Sequence, residues 1–330
     1  MSNRYKNLIH LIQSCSNLLI NKGKKMKIKI RVPSTTANLG PGFDVFGAAL
    51  SLYNEFESEY VPNARKTSFI LDGEEEKLLP KGEENLVWQS MLETFKVLEE
   101  DKYNLKNLNI RIKMGIPLNG GLGSSASAIV GGIALANVLC GKELDKSQIA
   151  DLAVKIEGHP DNVAPAVFGG LCACSKDGDG DHGIVLHLPI PKLKVVLCIP
   201  SFELRTKHAR QILPESIGLK DVVFNISRVA MLTAAFCRGD YSLLKQGMQD
   251  KVHQLYRGKM IPAMDEVFEA AISAGAYGAF LSGSGPALAA FCKEEDGLNV
   301  QKAMVKRWEK ENISIKSHIL DFDTKGVLEV

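Results

Sequence analysis

Eleven consecutive residues constrain this chain more than any others: Pro117-Leu118-Asn119-Gly120-Gly121-Leu122-Gly123-Ser124-Ser125-Ala126-Ser127. Their three glycines let backbone N–H groups converge on one point, as in an anion nest. The serines then open a run of small and apolar residues, 125–139, that reads as a helix. A helix N-terminus adds unpaired N–H groups and the positive end of the dipole. Serine hydroxyls there cap the helix, touch phosphate oxygens or ligate Mg²⁺. Polyphosphate binding is the chemistry implied, against the plainer alternative of a capped helix after a flexible loop. The loop lacks the lysine of a Walker A sequence and is not a GxGxxG turn.

The remaining pattern mixes strands and helices without a regular βαβ rhythm, which predicts an α+β fold. Residues 27–32 alternate basic and apolar side chains as a strand does, and 33–44 follow as a polar, Gly-rich loop. Strands are predicted at 45–61, 108–112, 184–188, 193–200, 276–281 and 286–292, with a closing strand at 314–321. Helical spacing predicts helices at 85–100, 145–157, 222–237, 241–256, 262–274 and 299–312. Residues 169–181 read as a hairpin region, and Ser282-Gly283-Ser284-Gly285 as a tight turn. The glycines and alanines of 125–139 predict close helix packing.

At 330 residues the chain exceeds the roughly 250–300 at which one core stops growing, so two domains are expected. Hydrophobic residues at 45% and charged residues at 24% exclude general disorder. No uninterrupted apolar stretch reaches the roughly 18 residues of a membrane span, so no membrane partner is expected. Acidic residues are absent before Asp44, where eight basic ones fall; setting those aside takes the net charge from +2 to −6. Residues 1–26 read as a basic extension, with Met26 as the start of the folded chain and a targeting segment as the alternative. The mildly acidic body argues against nucleic acid. Seven scattered cysteines form no CxxC pair and no His/Cys metal spacing. They read as small buried hydrophobes in a reducing compartment, which predicts a cytoplasmic protein.

Three segments carry a family resemblance: PLNGGLGSSASA at 117–128, PSTTANLGPGFD at 33–44 and GAYGAFLSGSGPALAAF at 275–291. Their sequence and order resemble the GHMP small-molecule kinases. The first of them in chain order, with Glu157-Gly158-His159-Pro160-Asp161-Asn162-Val163-Ala164-Pro165, resembles the homoserine kinase branch. The resemblance implies a two-domain α+β kinase. Residues 27–200 would form an ATP-binding domain resembling the ribosomal protein S5 domain 2-like fold, and 201–330 a ferredoxin-like domain. It also implies ATP and Mg²⁺, a homodimer, and phosphorylation of the L-homoserine hydroxyl in threonine biosynthesis.

The same resemblance assigns roles. The loop from Pro117 to Ser127 would wrap the ATP phosphates, with Thr206 also on the ATP side. Ser125 and Glu157 would hold Mg²⁺, a hard cation that suits both oxygen donors. Asn85 is near the adenine by resemblance, and a helix N-cap by its residue type. Asp44 would accept the substrate ammonium, and Arg210 and Arg257 would grip its carboxylate. Asn38, His159 and Asn162 would surround the reacting hydroxyl. The branch carries Asn at the position where some relatives have an Asp base, which implies that the proton passes to the phosphate. Asp161 beside Asn162 is the alternative base. A mevalonate- or shikimate-type kinase is the nearest other reading, and a non-catalytic nucleotide- or RNA-binding module the more distant one.

Overall fold

A computed structural model of the protein describes residues 27–61, 66–98, 108–118, 120–176, 183–204 and 206–330. The basic extension at 1–26 lies outside them.

The chain opens with β1 (Lys27–Ala37) and β2 (Phe46–Tyr60), a long antiparallel pair. Ile28, Ile30 and Val32 are buried on one side of β1, as the alternation predicts. The strand does not stop at Pro33, contrary to the predicted loop at 33–44. The register slips between Pro33 and Ser34, where proline has no N–H to donate, and pairing resumes to Ala37. The polar residues of this stretch are tolerated inside because their hydroxyls are bonded: Thr36 Oγ1 lies 2.8 Å from Ser282 Oγ, and Thr35 Oγ1 donates to Asn162 Oδ1 at 2.8 Å.

Next come β3 (Ser68–Asp72), α1 (Leu86–Val97), β4 (Leu108–Lys113), α2 (Ser124–Leu139), α3 (Lys146–Glu157) and α4 (Pro160–Phe168). Neither β3 nor α4 was legible in the sequence. β3 runs parallel to β4, a pairing that no local signal announces. At α4, Gly158 ends α3 in the left-handed region (φ 95°), and Pro160 starts a new helix at its first position instead of breaking an old one. Helix α2 packs as closely as its small residues predict: a Cβ on Gly132 would lie 2.4 Å from the Val87 carbonyl oxygen.

The hairpin of β5 (Leu171–Lys176) and β6 (Gly183–Leu188) completes the first sheet together with a strand from the far end of the chain. Cys172 and Cys174 are buried in β5 as free thiols, without a disulfide. β7 (Lys194–Pro200) belongs to the second sheet. Then follow α5 (Thr206–Gln211), α6 (Leu219–Arg238), α7 (Leu244–Gly247), α8 (Gln254–Arg257), α9 (Met264–Ser273), β8 (Gly278–Leu281), β9 (Leu288–Cys292), α10 (Gly297–Glu309), β10 (Ile315–Leu320) and β11 (Leu328–Glu329).

Two corrections stand out here. The helix predicted at 241–256 is two short ones, because the Asp250 carboxylate takes the N–H groups of Val252, His253 and Gln254 at 3.0, 2.8 and 2.6 Å. The strand predicted at 314–321 does not close the chain: β11 returns to the first sheet and pairs with β1. The second sheet runs β10-β7-β9-β8, all antiparallel.

One core lies between the first sheet and α1 to α4, and another between the second sheet and helices α9 and α10. A third joins the two halves. In it Phe291 meets Phe236, Phe280 and Phe322 with ring centroids 6.2, 5.0 and 5.7 Å away. Each fully buried phenylalanine contributes roughly 1.5–3 kcal/mol. The halves are therefore held together by an apolar seam, and the site lies along it.

Candidate active site

A cavity of about 290 Å³ runs along the junction. Its floor is the glycine loop. Gly121 and Gly123 sit at φ 74° and 67°, in the region that disfavours side chains. A Cβ on Gly121 would lie 2.2 Å from the Ser282 carbonyl oxygen, and one on Gly123 would lie 1.9 Å from Thr35 Oγ1. The loop is pinned from both sides: Ser282 Oγ donates to the Gly121 carbonyl at 2.7 Å, and Thr35 N–H to that of Leu122 at 3.0 Å. The Ser282–Gly285 turn therefore backs the loop directly. Helix α2 starts at Ser124 with Gly123 as its N-cap, so its first N–H groups open at the cavity wall.

Ser125 Oγ donates to Glu157 Oε2 at 2.8 Å. Burial pushes the Glu157 carboxyl above the usual range, and the Ser125 bond and the nearby His159 oppose the shift. A hydroxyl and a carboxylate oxygen this close are the donor types that would suit a hard cation such as Mg²⁺.

His159 lines the cavity, and its Nδ1 lies 2.9 Å from Asp161 Oδ1. Burial would lower its pKa, but the Asp161 carboxylate, joined by Glu157 and Asp44, outweighs that and the net direction is up. Asp161 is buried, and its Oδ1 also takes the Asn162 N–H at 3.1 Å. Asn162 Oδ1 accepts from Thr35, so strand β1 sets the amide that faces the cavity. Asn38 Nδ2 donates to the Gly283 carbonyl at 2.8 Å, while Asn38 Oδ1 accepts the Asp44 N–H at 3.1 Å.

At the far end, Arg210 donates Nη1 and Nη2 to the two carboxylate oxygens of Asp44, at 3.0 and 2.8 Å. Arg257 is buried, with Nε on the Ala209 carbonyl at 3.1 Å and Nη1 on that of Gly283 at 3.1 Å. Burial, helped by the Arg210 charge, pulls its guanidinium down to about 10. The expected acid and both arginines thus converge across from the loop.

The other expected residues divide. Asn85 borders the cavity, but its Oδ1 caps α1 by accepting from Val87 N–H at 3.0 Å, and its Nδ2 donates to Pro80 O at 2.9 Å. Leu118 and the stretch from Gly120 to Ser125 line the cavity. Ala126 and Ser127 point into the core, where Ser127 Oγ accepts from Asn54 Nδ2 at 3.3 Å. Pro117 is half-buried beside the loop. Asn119 and the Thr206 side chain lie outside the described residues. Sequence reasoning missed the apolar flank of the cavity, formed by Phe56, Leu79, Leu86, Val87, Ile112 and Met114. In sequence these read as ordinary core, and nothing local distinguishes them. An apolar flank beside an anion nest suits a purine and its phosphates.

A model of the GHMP kinases N terminal domain matches residues 85–170, and one of the GHMP kinases C terminal domain matches 232–310. The chain is 40% identical over 301 residues to a homoserine kinase of Prochlorococcus marinus, covering 91% of this chain and 95% of that one. A homoserine kinase from another strain is 41% identical over 307 residues, covering 93% and 96%.

The chain belongs to the homoserine kinase family of the GHMP kinases.

The crystal structure of homoserine kinase from Cytophaga hutchinsonii superposes with a TM-score of 0.84 at 30% identity, over 94% of this chain and 99% of that one. The two-domain α+β fold expected for a GHMP kinase is thus the fold observed. Among the described residues no helix is long and apolar enough to cross a membrane.

Proposed function

We propose that this chain transfers the γ-phosphoryl group of ATP to the side-chain hydroxyl of L-homoserine, releasing ADP and O-phospho-L-homoserine, a step of threonine biosynthesis. The observation that carries this reading is one cavity with an anion nest at one end and an acid with two guanidiniums at the other. A zwitterionic amino acid complements that far end: its ammonium matches Asp44, and its carboxylate matches Arg210 and Arg257. Its side-chain hydroxyl then extends towards the nest.

The glycine loop and the first turn of α2 would hold the phosphates, with the apolar flank and Asn85 against the adenine. Ser125 and Glu157 would hold Mg²⁺, which neutralises charge on the β- and γ-phosphates. Asn38, His159 and Asn162 would surround the hydroxyl. The hydroxyl oxygen attacks the γ-phosphorus as the bond to the β-bridging oxygen breaks. The hydroxyl proton passes to a phosphoryl oxygen, so no side-chain base is required. Asp161 supports this division, because its Oδ1 is spent on His159 and on the Asn162 N–H. A cytoplasmic homodimer also belongs to this reading, on the family resemblance.

The test is ADP release with Mg·ATP and L-homoserine, mevalonate, shikimate, galactose or no acceptor. Turnover with L-homoserine alone is the expected result. Turnover with another acceptor would discard the assignments at Asp44, Arg210 and Arg257. ATP binding without turnover on any acceptor would favour a binding module.

A further inference from the structure

His253 lies outside the cavity lining and takes no part in the chemistry above, yet it is fully buried directly behind Arg257. Its Nε2 lies 2.7 Å from the Gly40 carbonyl oxygen. A carbonyl only accepts, so the ring proton is on Nε2. Nδ1 is then a bare lone pair in a neutral imidazole, and it faces Arg257 Nη1 at 3.3 Å. Asp250 Oδ2 approaches Nε2 only to 3.7 Å and is occupied by the N–H groups of His253 and Gln254. Burial pulls the imidazole pKa down, and the Arg257 charge acts in the same direction while Asp250 opposes it. A proton on Nδ1 would stand against a guanidinium that already has Arg210 as a neighbour.

The surroundings leave Arg257 little freedom. Its Nε and Nη1 are bonded to the protein, and among the described residues Nη2 has no hydrogen bond and is the donor left for a ligand. The Phe43 ring completes the arrangement. It lies 5.2 Å from the Arg257 guanidinium carbon, 5.4 Å from that of Arg210 and 5.3 Å from the His253 ring. Both guanidiniums therefore lie within cation–π range of one ring.

We infer that His253 is a positioning residue for substrate recognition: its Nδ1 lone pair holds the Arg257 guanidinium at the angle at which it meets the substrate carboxylate. The inference rests on the proposed role of Arg257 and goes beyond it, because nothing in that role requires a neutral acceptor behind the arginine. Gly40, which fixes the tautomer, sits in the same segment as Asn38 and Asp44. One imidazole therefore ties the arginine of the second half to the substrate-side loop of the first.

The experiment compares steady-state kinetics of His253→Leu, His253→Gln, His253→Asn and Arg257→Met. Asparagine places an acceptor where Nδ1 stands, whereas glutamine reaches towards the Gly40 carbonyl instead. His253→Leu and His253→Gln should raise KM for L-homoserine between about ten- and a hundredfold, with KM for ATP moving less than about threefold. His253→Asn should recover most of the loss. The double variant of His253→Leu and Arg257→Met should be no worse than Arg257→Met alone. An unchanged homoserine KM in Arg257→Met would sink the carboxylate reading itself. A raised KM there, with none in His253→Leu or His253→Gln, would sink only the positioning role, as would an asparagine variant as poor as leucine. The unaltered protein supplies a second readout that does not depend on variants folding. ¹⁵N NMR of the histidine rings should show a neutral, Nε2-protonated imidazole, and a cationic or Nδ1-protonated ring at His253 would overturn the inference.

Discussion

Arg210 and Asp44, far apart in sequence, meet in two parallel hydrogen bonds of 2.8 and 3.0 Å. Their side chains remain 42% and 32% exposed. An exposed pair of this kind contributes at most about 1 kcal/mol to stability. In the proposed function its geometry has another use: a zwitterion entering the cavity would replace each partner by a group of the same sign.

Arg210→Met and Asp44→Asn are accordingly expected to weaken L-homoserine binding far more than the fold. KM for homoserine should rise roughly ten- to a hundredfold, corresponding to hydrogen bonds to charged groups of about 1.5–3 kcal/mol. Thermal unfolding should move little. Kinetics paired with calorimetry checks both, and a large drop in melting temperature without a KM effect would make the pair structural.

Glu157 predicts a pH dependence. Its pKa is raised by burial, so the folded protein binds this proton more tightly than the unfolded chain does, and stability without Mg²⁺ falls as pH rises through that pKa. Protonation also competes with the cation. Apparent Mg²⁺ affinity should therefore drop with acidification at a pH above the ordinary carboxylate range, and Glu157→Gln should remove that dependence. Titration of Mg·ATP binding across pH checks it. Ser125→Ala should weaken Mg²⁺ use while leaving the fold intact.

The glycine loop predicts steric failure. Gly123→Ala places a methyl group on Thr35 Oγ1 and forces a left-handed backbone on alanine. Such strain costs on the order of 1–3 kcal/mol. KM for ATP should rise at least about tenfold, with a lowered urea midpoint. Normal ATP binding by this variant would mean that the loop is not the phosphate cradle.

Asp161 and Asn162 separate two mechanisms. If Asp161 orients His159 and no side chain acts as base, Asp161→Asn should retain turnover and Asn162→Ala should lose it. The opposite pattern would make Asp161 the base. The raised His159 pKa contributes stability that is fully present below the unfolded value and is lost as pH rises through the folded one. Asp161→Asn should flatten that slope, which denaturant unfolding between pH 5 and 9 would reveal.

Much of the site was legible because its signals are local. The nest, the helix start expected at Ser125 and found one residue earlier, and the N-cap role open to Asn85 follow from residue type and spacing. Less legible were the places where distant groups decide. Residues 33–37 looked like loop because they are polar, yet bonds to Asn162 and Ser282 make them strand. Residues 241–256 looked like one helix because they have helical periodicity, yet the Asp250 carboxylate captures the N–H groups the helix would need. Ser127 sat inside the motif that resembles the family but turned to Asn54 in the core. The apolar flank of the cavity and strand β3 left no trace of their role.

By itself the sequence determined what short stretches of chain can decide: a glycine-rich anion nest opening a small-residue helix, the α+β mixture and the family of kinases. These depend on φ/ψ preferences and on the period of side chains along the backbone, which operate over a few residues. Only the tertiary structure decided that Asp44 pairs directly with Arg210, that Ser125 donates a hydrogen bond to Glu157, and that a buried histidine stands behind Arg257. The Asp44–Arg210 contact forms because the two packed halves share an apolar seam, and the other two form within one half, between elements that its own core packs together. The free energy that brings them together comes from burying side chains far from the site, and so it has no signature at the residues that meet.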